Sequence, residues 1–435
     1  MPILFLPLFA SALLHAQTQS TVSLEGSYVL PTEDPAINYN SATLSDSISR
    51  LQKRLVSGET KLAFDSKHGW LVSLLRELRI PVSSQMLVFS KTSFQLNRIA
   101  PETPRAIYFG DDVYVGWVQD GDVMEVSSVD PQKGGIFYSL NQRDSKTPVL
   151  TRRDECLQCH ASPKTLGVPG HMVRSVYTGP DGFPQFQAGG FHTDHRSPFE
   201  ERWGGWYVSG THGGMRHMGN VFSTDRDHPE KLDVEKGANI TSLKKLVNVE
   251  PYLSPHSEIV ALMVLEHQAR MQNLIARVSY ETRMALSQQE GMNKALGRPP
   301  HEWSDSTRRR IYGASEVLLQ YMLFADEAPL KAPVKGVSTF QEDFSARGPR
   351  DTKGRSLRDF DLKTRIFRNR CSYVVYTEAF DALPKPALEY IYRRMFEVLS
   401  GKDQSNTWAI LPQSERAAIL EILRETKQGL PDYWR

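Results

Sequence analysis

Between Ala106 and Leu140 the chain sets short runs rich in Val, Ile, Tyr and Phe between Gly110-Asp111-Asp112, Gln119-Asp120-Gly121-Asp122 and Asp130-Pro131-Gln132-Lys133-Gly134-Gly135. Runs of that kind, closed by turn formers, read as antiparallel strands joined by short connections. The apolar period then changes. Ile259, Leu262, Met263, His267, Met271, Leu274 and Val278 recur at three- or four-residue steps, the spacing of one helix face. A single switch of period predicts an α+β chain, with an antiparallel β-rich region followed by a mainly helical C-terminal half. Ser254-Pro255 marks the start of that helix. Further helices are expected at about 304–324, 385–400 and 414–427, with a charged, loop-rich stretch near 325–360 as linker or excursion. Upstream, Leu44 to Leu55 and Trp70 to Leu78 have helical spacing, and Pro81 stops the second run. A hairpin is expected across Val173 to Gln187, turning at Gly179-Pro180-Asp181-Gly182. The resulting division is a leader at 1–16, a helical segment at 17–100, a β-rich region at 101–250 and a helical region at 251–435.

Within the β-rich region stands Cys156-Leu157-Gln158-Cys159-His160. Two thiols three positions apart can add across the two vinyl groups of one haem, while His160 offers an imidazole to the iron from the same turn. Two other chemistries use such residues. A closed zinc site needs a fourth ligand, and the remaining cysteine, Cys371, lies far along the chain. A redox disulfide of the thioredoxin kind sits between a strand and a helix, which Ala161-Ser162-Pro163-Lys164 does not favour. Cys371, near Tyr373, Val374 and Val375, reads as a small buried hydrophobe.

Compartment follows from Met1 to Ala16, which has no charged side chain, an apolar run from Ile3 to Leu14 and a small residue before polar Gln17-Thr18-Gln19. That is the outline of a secretory signal cleaved after Ala16, atypical in lacking an N-terminal Lys or Arg. A periplasmic or otherwise exported protein is expected. No later stretch approaches the apolar length of a membrane span, so no integral membrane segment is expected once the signal is removed. A formal charge of +2 among 435 residues creates no strong field, and nucleic acid is not indicated as a partner.

The motif and leader together resemble those of c-type cytochromes, and in particular of large exported proteins that carry a single haem c. The resemblance covers five residues. It implies one covalent haem c, with Cys156 and Cys159 as thioether anchors and His160 as proximal ligand. Small soluble carriers begin an all-helical domain with this motif, whereas here it follows a predicted sheet in mid-chain.

The sixth iron ligand would decide the chemistry, because Met raises the potential, a second His lowers it, and an open position admits small molecules. Candidates are His212, His217 and Met218 in the Gly-rich segment around 211–220, and His267 on the apolar stripe of the long helix. Each has a plainer reading as a hydrogen-bonded or core residue. His171 and Met172 follow the motif closely and would need a tight loop to reach the opposite haem face. His192-Thr193-Asp194-His195 has a spacing that can bind metal from a loop, and His195, Arg196, Glu200, Glu201 and Arg202 could move protons beside an open haem or form surface ion pairs. Trp203, Trp206 and Tyr207 could line a haem crevice or pack a core. The reading that follows is one-electron transfer with a redox partner protein. The alternatives are a peroxidase-like haem enzyme or gas sensor with an open distal site, and a non-redox zinc-binding protein.

Overall fold

The computed structural model describes residues 28–40 and 43–435, so the leader at 1–16 lies outside the described residues. Nine strands are present among them. The main sheet holds β1 (Met86–Val88), β2 (Arg105–Phe109), β3 (Val113–Trp117), β4 (Val123–Asp130), β5 (Gly134–Asn141) and β6 (Leu150–Arg152). β7 (Val173–Val176) and β8 (Gly190–Thr193) pair separately, and β9 (Trp206–Tyr207) closes the main sheet. The order β6-β5-β4-β3-β2-β1-β9 is antiparallel throughout. β2 to β6 form a meander through the turns legible in the sequence.

Alternation along these strands gives the sheet two different faces. Leu87, Ala106, Tyr108, Val115, Trp117, Met124, Val126, Ile136, Tyr138 and Leu140 point to one side, where they bury against α1 (Ser47–Val56) and α2 (Leu71–Glu77). Asp46 fixes α1 there. Its carboxylate accepts from the backbone N–H groups of Ile48 and Ser49, from the Tyr138 hydroxyl at 2.8 Å and from the Ser128 hydroxyl. Asp46→Ala removes a helix cap and leaves two buried hydroxyls unsatisfied. It is expected to lower the unfolding free energy in urea by about 3 kcal/mol.

On the other face Phe109, Tyr114 and Val129 meet the helical half. After the one-turn α3 (Leu157–His160) come α4 (Ile259–Leu296), α5 (Asp305–Met322), α6 (Phe340–Ala346), α7 (Glu378–Asp381), α8 (Lys385–Leu399) and α9 (Gln413–Thr426). α4 is buried nearly all round through its middle, which is what a helix at the centre of a core requires. It ends at Gly297, whose φ of +64° suits the left-handed cap. One apolar core runs from Met86 to Trp434 and crosses the region boundaries at 100 and 250. Phe340, Phe344 and Leu357 belong to it, so 325–360 is an excursion packed into the core rather than a linker. Cys371 is fully buried in the same core, and burial pushes its thiol up to about 12.

Two local expectations need correction. α4 begins at Ile259 with Glu258 as its cap rather than at Ser254-Pro255. The reason is that 254–257 is held out of the helix: Gln85 donates to the carbonyls of Ser254 and His256, and the Ser257 hydroxyl accepts from the Leu87 amide. The hairpin from Val173 does turn at Gly179–Gly182, but its second strand is 190–193, beyond Gln187. The intervening chain makes only an isolated bridge between Thr178 and Pro184 before a short 3-10 turn at Phe186–Ala188.

Candidate functional site

A tight turn at Asp154–Cys156 runs directly into α3, and the helical spacing brings Cys156, Cys159 and His160 to the wall of one cleft. Cys156 is half-buried and Cys159 exposed, and both thiols are free. Burial, with the carboxylates of Glu155 and Glu125 nearby, pushes the Cys156 thiol up to about 11.

His160 is held from behind. Its Nδ1 lies 2.9 Å from the Gly170 carbonyl oxygen, an acceptor only, so Nδ1 carries the proton and Nε2 keeps its lone pair. Burial lowers the His160 pKa and favours the neutral ring. The ring packs on Phe137 with centroids 4.7 Å apart. The Gly170 segment is itself clamped by α4: Asn273 accepts from the His171 amide at 3.0 Å and donates to the His171 carbonyl at 2.6 Å. Gly170 must lack a side chain here, because a Cβ would stand 2.1 Å from Asn273 Oδ1. His171 follows Gly170, its ring 6.4 Å from that of His160 between centroids. Its ring is pressed against Tyr114, at 4.3 Å between centroids, and bonded through Nε2 to the Ser127 hydroxyl at 2.8 Å.

The cleft floor is the alternating face of the main sheet. Side chains at Val88, Ile107, Tyr114, Val123, Glu125, Ser127, Phe137 and Ser139 line it, with Gly116 at the centre beneath the Arg105 side chain. Leu265 and Ala269, one turn apart on α4, form one wall, and Val173, Arg174 and Trp206 another. The cleft encloses about 220 Å3, below the range of roughly 300–1,000 Å3 usual for small-ligand pockets, and opens broadly to solvent. Its lining mixes apolar with charged and polar side chains. Arg105 pairs with Glu125 at 2.6 Å, Gln95 donates to the other Glu125 oxygen at 3.3 Å, and Arg153 stands 3.4 Å from Glu155. What matches a haem c is the donor set, two thiols and a neutral imidazole on one wall with guanidinium groups nearby; the enclosed part of the cleft is small for that group, which would extend into the open mouth.

None of the four distal candidates lines the cleft. His212 is used at both ring nitrogens, by the Met215 carbonyl and the Asn239 amide. His217 accepts from the Gly219 amide and packs on Trp203, and the Met218 sulphur accepts from the Ser175 hydroxyl. His267 is buried as its stripe position requires, but its Nδ1 meets His195 Nδ1 at 2.8 Å and its Nε2 meets the Ser372 hydroxyl at 2.7 Å. Both rings are stacked against Tyr321 and Phe324. Their positions follow from the Gly-rich segment packing below β9 and from His267 facing the C-terminal helices, away from Leu265 and Ala269. His192 and His195 likewise part company, and among the described residues no three His, Cys, Asp or Glu side chains stand close enough to share a metal ion. Arg196 is paired with Asp194, and Arg202 with Glu266 inside the core. Of the three aromatics, Trp206 lines the cleft, its indole donating to the Arg174 carbonyl, while Trp203 is core and Tyr207 turns to the opposite sheet face.

Sequence reasoning did not single out Arg105, Glu125, Gly116 or the Gly170–Asn273 clamp. A glycine in the middle of a strand was the one available signal, since it marks a weak packing position or the close approach of another group. Among the described residues no helix is long and apolar enough to cross a membrane. Comparison with family models, with curated proteins and with solved structures returns no match for this chain.

Proposed function

We propose that this chain binds one haem c covalently through Cys156 and Cys159, with His160 as an axial ligand, and serves in one-electron transfer. The observation that carries the reading is the coincidence of both thiols with a neutral imidazole whose tautomer is fixed at Nδ1, all on one wall of an open cleft. Bound haem would supply reversible one-electron chemistry at its iron. The protein's own residues supply the rest. Gly170 and Asn273 hold the imidazole so that Nε2 addresses the cleft, as outer partners of a metal-bound His do. Phe137, Ile107 and Trp206 give an apolar lining that limits water, and Arg105, Arg153 and Arg174 bring positive charge for acidic substituents. The composition of the leader supports action outside the cytoplasm, with a redox protein as partner.

The test is expression with c-haem maturation machinery followed by extraction with acidified organic solvent. The wild-type chain is expected to retain its Soret absorbance in the protein fraction, and Cys156→Ala/Cys159→Ala to lose all of it. Equal retention by the double variant, or no haem in the wild type, would overturn the reading.

A further inference from the structure

Beside the turn that follows the Cys-Cys-His motif lies a second hollow, open to solvent, of about 600 Å3, within the range of roughly 300–1,000 Å3 usual for small-ligand pockets. Three separate elements bring a cation to it: Lys164 from the 3-10 turn Pro163–Thr165, Arg196 from the loop after β8, and Arg270 from α4. Asp194, itself buried, sets the two guanidinium groups. Its carboxylate accepts from Arg196 Nε at 3.0 Å and Nη2 at 2.8 Å, and Arg270 Nε stands 3.8 Å away. Even so held, the Arg196 side chain is 29% exposed and that of Arg270 15%. The Ser197 hydroxyl accepts from the Asp194 amide, and its own proton has no acceptor among the described residues. It lines the same hollow.

The charge felt in this lining is of one sign at His192, which lies opposite Arg174 across β7 and β8. Burial first, then the cations Lys164, Arg174 and Arg270, hold the His192 pKa down at about 4. Two carboxylates complete the lining. Asp194 is directed at the guanidinium groups, while Asp326 is exposed and, like Lys164, makes no ion pair with the described residues. A planar carboxylate meets one guanidinium fork, whereas a phosphoryl group offers three oxygens to donors arriving from different directions. We propose that this hollow binds the phosphate-monoester group of a small ligand, with Lys164, Arg196, Arg270 and the Ser197 hydroxyl as its donors. The volume leaves room for a small organic portion beyond the phosphoryl oxygens. None of these residues lines the cleft of His160, so the inference stands apart from the haem reading. Lys164 attracts the ligand and Asp326 repels it, so neutralising each acts in opposite directions.

The experiment is a calorimetric titration of the purified protein with inorganic phosphate and with glycerol 3-phosphate at fixed ionic strength, beside a sedimentation assay with phosphatidylcholine vesicles containing phosphatidic acid. Saturable binding of both soluble probes is expected. Lys164→Gln is expected to weaken it about tenfold and Asp326→Asn to tighten it severalfold. Both positions are exposed, so neither change disturbs the core. The His192 ring supplies a second readout, because a bound dianion favours the imidazolium. Its NMR titration midpoint is expected to rise above about 4 with saturating glycerol 3-phosphate and to stay put in chloride of equal ionic strength. Binding to the vesicles alone, lost in Lys164→Gln, would support the same chemistry and identify its source as a lipid headgroup rather than a soluble ester. No binding of any of the three probes would overturn the inference. So would an affinity that both variants leave unchanged, or a His192 midpoint unmoved at saturation, since the anion would then sit elsewhere. Weakening by both Lys164→Gln and Asp326→Asn would reduce the two charges to a structural role and overturn it as well.

Discussion

Replacing Arg202 with methionine is expected to destabilise the protein by about 3–5 kcal/mol at pH 8, the range found when one partner of a buried ion pair is removed. Arg202 is 2% exposed and Glu266 0%, with Nη1 and Oε2 2.9 Å apart. The remaining guanidinium donors go to the carbonyls of Ser197 and His195. Burial already pushes Glu266 up to about 7 despite that partner. A carboxyl whose folded pKa lies above its unfolded value, 4.5 here, takes up a proton on folding below about pH 7, so its penalty is fully present above that pH and is relieved as pH falls toward 4.5. Removing the guanidinium raises the folded pKa further. The deficit of Arg202→Met relative to wild type is therefore expected to shrink between pH 8 and pH 5.5 in urea unfolding. Arg202→Met/Glu266→Leu, with no charge left to bury, is expected to recover most of the loss. A deficit that grows on acidification would contradict the assignment of the cost to Glu266.

The second large effect is expected at Gly170→Ala. The new Cβ would stand 2.1 Å from Asn273 Oδ1 and 2.8 Å from its Cγ. Asn273 cannot simply swing aside, because both ends of its amide are bonded to the His171 backbone. Relief of the clash breaks those bonds and moves the carbonyl that fixes His160. A cost of about 3 kcal/mol is expected, from overpacking plus two lost hydrogen bonds. Nitrogen-15 NMR of the imidazole is expected to show loss of the single Nδ1–H tautomer. Gly291→Ala, in the same chain and with nothing within 4 Å of the added methyl, is the control. It sits in α4 and is expected to gain up to about 1 kcal/mol from helix propensity.

Much of the architecture could be read from residue order because its signals are local. Turn formers at 110–112, 119–122 and 130–135 sit where the meander turns, and α5, α8 and α9 fall within a few residues of their apolar periods. The errors arise where tertiary hydrogen bonds override local preference. Ser254-Pro255 has the chemistry of a helix start, yet Gln85 holds the carbonyls of Ser254 and His256 outside the helix. The candidate site divides in the same way. Cys156, Cys159 and His160 are contiguous in the chain and were found by spacing. Arg105, Gly116 and Glu125 come from three strands and meet only through register, which no single strand encodes. His267 shows the limit of periodicity: its burial follows from its position on the helix, but its partner His195 lies on a distant loop.

The two-faced sheet also restricts how this cleft can change. Strands that put Ile107, Gly116 and Glu125 on the floor put Ala106, Trp117 and Val126 into the core beneath, so floor and foundation share one backbone. A one-residue insertion in β3 would exchange the two sets, driving an indole into the cleft and a glycine into the core. New ligand preferences on this scaffold must arise by replacing one floor side chain at a time, or in the loop around Thr92 at the cleft's edge, where added length leaves the strand register intact.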